Sequence, residues 1–179
     1  MSNTNKLASQ IFLVVGLLFA LPQIAASQRT RLGEPPPIEF PTTKMSQSDV
    51  QQFLEGNFHI IKDMGSLPQP VTKAFTESGG TRLTIADPGK KWEATDFIVD
   101  TSLPRKRLLF GGVLDEKCFM LYEQGGIGHF YVLALFKVSS ANVMQPIWRS
   151  YCEPASDISG LRTNISKNKC SEPVPSQIR

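Results

Sequence analysis

Apolar residues alternate along His129–Val138, and this alternation organises the reading of the whole chain. The even positions, Phe130, Val132, Ala134, Phe136 and Val138, are all apolar, whereas the odd ones are His129, Tyr131, Leu133, Leu135 and Lys137. One face of this segment is therefore core throughout and the other only in its middle. That is the pattern of a central strand in an antiparallel sheet. Arg105–Leu114, Lys117–Glu123 and Val143–Cys152 read as further strands with short connections, and Arg82–Ala86 and Ala94–Val99 as shorter ones. Gly111 and Gly112 predict a bulge, and Pro146 confines the last strand to an edge or a bulge. Closing a hairpin around Gln124–Gly128 opposes Tyr122 with Phe130, Met120 with Val132 and Cys118 with Ala134. All three pairs fall on the even face, which a slip of one residue would destroy.

Upstream the period becomes helical. Ser46 can cap a helix whose third residue on is Asp49, an acidic form of the capping box. Val50, Phe53 and Leu54 then give one apolar face, and Gly56–Asn57 ends it. Phe58–Ile61 fits either period. Ser66–Pro70 opens a second helix carrying Val71, Ala74, Phe75 and Ser78 on one face, with Gly79–Gly80 as its stop. Asp87–Lys90 has the proline and glycine of a type II turn. Helices followed by strands define an α+β domain over residues 46–152. One or two N-terminal helices pack on a four- to six-stranded antiparallel meander. In broad architecture this resembles cystatin-like or NTF2-like domains, an analogy of shape that carries no function.

The ends differ from this domain. Lys6 precedes an uncharged apolar run, Ile11–Ala20; Pro22 breaks it, and Ala25, Ala26 and Ser27 supply small residues. Residues 1–27 thus read as a secretory signal peptide cut before Gln28, or before Ser27 as second choice. A retained anchor is the competing reading, but a spanning helix needs about 20 apolar residues and this run stops short. The mature chain is expected to be soluble and secreted or periplasmic, with no membrane span. Residues 28–45, with Pro35–Pro37 and Pro41, read as an extended tether. Residues 153–179 read as an irregular polar tail.

The formal net charge is +3, and Lys6 leaves with the leader. No basic footprint for nucleic acid appears. The cluster Arg105–Arg107 reads as a solvated strand start. Export predicts that cysteines pair. In the hairpin register Cys118 lies about 13 Å from Cys152 at strand rise, too far for the roughly 7 Å that a disulfide spans. Cys152–Cys170 is the expected bridge, pinning the tail to the sheet edge, with Cys118 left as a buried thiol.

Candidate chemistry is sparse. The register places Glu123 opposite His129, a carboxylate on an imidazole as in acid–base catalysis. An ordinary cross-strand charge pair is the preferred explanation, because no nucleophile falls beside the two and the chain has only two histidines. His59 and Asp63 would share a face only if that stretch were helical. No zinc-ligand spacing is present, and no cofactor is expected. Asn164–Ser166 is a glycosylation sequon, relevant to a eukaryotic source. Tyr122, Phe130, Phe136 and Trp148 would either line a binding pocket between helix and sheet or simply fill the core. The reading favoured by these residues is a non-enzymatic exported module that binds a small apolar ligand or another exported protein. A hydrolase or lyase built on Glu123 and His129, and a structural envelope-associated protein, are the alternatives.

Overall fold

The computed structural model describes residues 38–41, 44–77, 80, 82–95, 97–126 and 128–171. The leader, its cleavage site, most of the expected tether and residues 172–179 lie outside the described residues.

Helix α1, Gln47–Glu55, begins as its sequence dictates: the Ser46 hydroxyl accepts from the Asp49 amide at 3.1 Å. Gly56 ends it. Strand β1 is His59–Ile61, so the ambiguous segment is extended. A single 3-10 turn, Met64–Ser66, leads into α2, Gln69–Ala74, with Pro70 in its first turn. α2 stops a turn earlier than its apolar spacing predicts, because Thr76 turns away to bridge Leu83. Four long strands follow: β2, Lys106–Leu114; β3, Lys117–Gln124; β4, Phe130–Val138; and β5, Met144–Cys152. Helix α3, Ile158–Ser166, and the short β6, Cys170–Ser171, complete the chain. The strands pair antiparallel in sequence order β1 to β6, a six-stranded meander. The α+β class is as expected.

Several local expectations change. Among the described residues neither Arg82–Ala86 nor Ala94–Val99 forms a strand; the first makes only isolated bridges through Leu83 and Ala86. The bulge of β2 falls at Leu109, not at the glycines. Those glycines serve close packing instead. A Cβ at Gly112 would press on Cε1 of Phe119 and lie 2.9 Å from its Cζ. Pro146 does sit at a bulge, between the pairs Leu135–Trp148 and Phe136–Pro146. The supposedly irregular tail holds α3, capped by Asp157, whose carboxylate accepts from the Gly160 amide at 2.8 Å.

The β3–β4 register differs by two residues from the expected one. Tyr122 opposes Val132, Met120 opposes Ala134 and Cys118 opposes Phe136. The connection is residues 125–129, as long as the one assumed but one residue further along the chain. A shift of two preserves the side-chain face, so the even positions still share it.

The sheet is covered on both sides. On the first face Leu108, Cys118, Met120, Tyr122, Val132, Ala134 and Phe136 pack under Met64, Leu67, Val71, Phe75 and Ile85. Ile38 and Phe40, expected to belong to an extended tether, pack against this same face. On the second face Phe110, Phe119, Leu121, Leu133, Leu135 and Trp148 pack under Phe53 of α1 and Leu161 of α3. Arg162 ties the two helices together, its Nε donating to the Phe53 carbonyl at 3.1 Å and its Nη2 to that of Gly56.

Asp49 also joins α1 to β3 through an ion pair with Lys117. Burial pushes its carboxyl up, but hydrogen bonds from Lys117 and Ser46 and the Lys117 charge outweigh this and hold it below the ordinary 3.8. A depressed carboxylate stabilises the fold above its unfolded pKa and loses that contribution as pH falls through the folded one. The stability difference between the native chain and Asp49→Asn, measured by urea unfolding, should therefore be steady near neutrality and close below pH 3.8. A pH-independent difference would assign Asp49 a purely steric role.

Candidate functional site

Three segments meet at one end of the sheet: the base of the loop over residues 92–105, the start of β2 and the turn 125–129. The Glu93 amide donates to the Pro104 carbonyl at 2.9 Å, and that of Gly125 to Arg105 at 2.9 Å. Gly125 is needed here because a Cβ would fall 2.5 Å from the Glu93 carbonyl oxygen and 2.7 Å from that of Ala94.

Glu123 sits at this junction, 4% exposed. Arg107, its direct partner across β2–β3, donates from Nε to Oε2 at 2.6 Å, with Nη2 also 2.6 Å from that oxygen. His129 reaches the other oxygen, Nε2 to Oε1, at 3.2 Å. The expected Glu123–His129 contact thus exists, although Glu123 pairs with Tyr131 in the ladder and His129 lies in the turn. Aromatic rings enclose the group: Trp92 lies 5.4 Å from the His129 ring and 5.2 Å from the Arg107 guanidinium, and Tyr131 lies 5.1 Å from His129. Sequence reasoning missed Arg107 and Trp92. The basic cluster Arg105–Arg107 does open a strand, but it is half-buried rather than solvated.

Chemically the arrangement is a charge clasp. Both carboxylate oxygens are engaged, and one is held by a permanent cation. Sharing the negative charge with Arg107 reduces what it can lend to a protonated imidazole, the opposite of what an orienting carboxylate needs. Removing one partner of a fully buried pair costs roughly 3–5 kcal/mol. Here the side chains of Arg107 and His129 are 28% and 43% exposed and can turn to water. Glu123→Ala should accordingly cost about 2 kcal/mol by urea unfolding. A loss under about 0.5 kcal/mol would class it with screened surface pairs.

Beside the clasp, a second buried carboxylate fastens the loop. Glu93 accepts from the Thr95 hydroxyl at 2.9 Å and from the Val99 and Asp100 amides at 3.3 Å each. The Thr95 hydrogen bond leads in holding its carboxyl below the usual range. Arg105 Nη2 donates to the Thr95 carbonyl at 3.4 Å, Arg82 to that of Ser102, and the Ser102 amide to Asp100 at 2.8 Å. The loop so fixed turns Phe97 and Val99 outward, 77% and 78% exposed. A run expected as a strand gave no warning of this.

The other expected residues are dispersed. Tyr122, Phe130 and Phe136 belong to the first face and Trp148 to the second, so the four do not line one pocket. Cys152 and Cys170 are bonded, directly opposite one another in β5–β6. Cys118 is a buried free thiol that burial pushes up to about 12. His59 is in a strand while Asp63 caps the 3-10 turn, so they share no helix face. Among the described residues no group of three His, Cys, Asp or Glu could hold a metal ion. No helix among them is long and apolar enough to cross a membrane. The sequon is spent internally: Asn164 is 7% exposed and its Nδ2 donates to the carbonyls of Glu153 and Pro154 at 2.9 and 3.3 Å.

Comparison of the chain with protein-family models, with curated proteins and with solved structures found no match.

Proposed function

We propose that the chain leaves the cytosol by way of a cleaved leader over residues 1–27 and works as a non-enzymatic protein-binding module, presenting the loop 95–103 to its partner. The observation that carries this reading is the outward exposure of Phe97 and Val99 on a loop that a buried carboxylate fastens at three points. Covering two such side chains contributes about 1.5–3 kcal/mol each. A loop already held in one shape loses little further entropy on docking. A fixed shape is useful against a shaped protein cleft and adds nothing against a fluid lipid surface. The Cys152–Cys170 bridge supports an oxidising compartment.

The test places a photoreactive amino acid at Phe97 in the source organism, with a control at Gln145. A discrete cross-linked protein at the first position only, lost on Val99→Asp, supports the reading. Labelled lipid, or no adduct at either position, overturns it.

The Glu123–His129 contact carries a second reading, a hydrolase or lyase using the pair for proton transfer. Arg107 on the same carboxylate weighs against it. An ester- or amide-cleaving activity abolished by His129→Gln would restore it.

A further inference from the structure

We propose that the first face of the sheet holds a site for an amphipathic carboxylate, an anion with a straight hydrocarbon tail, and that residues 38–40 occupy the tail's seat in this structure. The site is independent of the loop 95–103.

Arg149 supplies the anion contact. It opposes Ala134, and the neighbouring row runs Tyr122–Val132–Tyr151. Among the described residues of β3, β4 and β5 on this face, Arg149 is the only charged one. It is half-buried, and no carboxylate among the described residues forms an ion pair with it. Its neighbours are instead the Phe40 ring, 5.2 Å from its Cζ, and the Tyr122 phenol. Arg149 hydrogen-bonds the Tyr122 phenol and lies over the Phe40 ring, but neither neighbour carries a negative charge to balance the guanidinium. A carboxylate would supply the missing charge and a two-point hydrogen bond.

Tyr122 completes the polar end. Burial pushes its hydroxyl up to about 12, with the Arg149 charge opposing. It therefore stays protonated and can donate to a carboxylate oxygen while Arg149 donates to the other.

The tail's seat is apolar and is filled from within the chain. Phe40 lies 5.7 Å from Phe136, and the seat continues along Phe130 and Tyr151, whose rings are 4.8 Å apart. Ile38 packs on the same core. Yet residues 38–40 make no backbone hydrogen bond with the sheet among the described residues. Apolar contact and one cation–π interaction hold them, and a ligand offering both a tail and a charge can replace both.

The experiment is calorimetric titration of the protein, as purified from its source, with decanoate and, separately, decan-1-ol, both below their aggregation concentrations. The proteins are native, Phe40→Ala, Phe40→Leu and Arg149→Met. Decanoate should bind the native chain and bind Phe40→Ala about tenfold more tightly, since the internal competitor is weakened. Arg149→Met should lower decanoate affinity about tenfold or more, the worth of a charged hydrogen bond, and leave decanol unchanged. Phe40→Leu keeps the packing and removes the ring, so it gives the same direction should Phe40→Ala fail to fold. Failure of decanoate to bind the native and Phe40 variants, or equal binding of decanoate and decanol that ignores Arg149→Met, overturns the proposal.

Discussion

Phe119→Ala should bring the protein close to unfolding. Phe119 is fully buried and its ring contacts three others: Phe53 at 4.9 Å, Phe58 at 5.1 Å and Phe110 at 6.0 Å. It therefore joins α1, the residue just before β1, and β2 at one point of the second face. Truncating a buried phenylalanine costs roughly 3–5 kcal/mol, more where the surroundings cannot collapse into the space. Here they cannot. Gly112 lies directly against the ring and offers no side chain to refill the cavity. The expected loss is in the upper half of that range, against a total stability of about 5–15 kcal/mol for a domain of this kind. Urea unfolding would show it as a large fall in midpoint. Phe119→Leu, which retains most of the volume, should lose less than half as much. Equal losses from the two variants would mean that the ring contacts, not the filled space, carry the energy.

Cys170→Ser should produce the next largest loss, about 3 kcal/mol, from opening a loop of this size. The bridge joins residues 18 apart and encloses all of α3. Much of its effect lies in restricting the unfolded chain, so the folded variant should keep its sheet while its unfolding midpoint drops. α3 should loosen first, because the described β5–β6 pairing is only two residues long. Amide exchange within 158–166 would rise well above that of β3 and β4. Reductant should lower the midpoint of the native chain to that of Cys170→Ser and leave the variant unmoved. A native chain indifferent to reductant would show that packing of Leu161 and the Arg162 link hold the tail unaided.

Both predictions concern the second face, which the alternating pattern only half revealed. Leu133 and Leu135 are apolar on the odd side of β4, so something had to cover them. The cover is α1 together with a helix in the tail. Signals for that helix were present: Asp157 ahead of it, then Ile158, Leu161 and Ile165 at helical spacing. Gly160 and the adjoining polar residues lower its intrinsic propensity, and it is stable because Leu161 is buried and Arg162 reaches α1. Likewise Arg107 was visible as a charge in a basic cluster. Only pairing with β3 brought it to Glu123.

Period and composition alone determined the class, α1 and its Ser46 cap, and the long strands and their meander order; the expected Cys152–Cys170 pairing rested in addition on the export reading and on a separation estimated from the hairpin. The first three follow from a local rule or from the two-residue alternation of a sheet. The exact hairpin register was beyond period and composition, because a slip of two residues leaves every side chain on the same face and so costs the hydrophobic pattern nothing. Pro146 pointed to an edge or a bulge in β5, but not to what the bulge does: the extra residue at Ile147 sends Trp148 to the second face and Arg149 to the first. Close approach of separate segments decided the rest. It placed a guanidinium on the Glu123–His129 pair, fastened the loop that exposes Phe97, and laid Phe40 across the first face of the sheet.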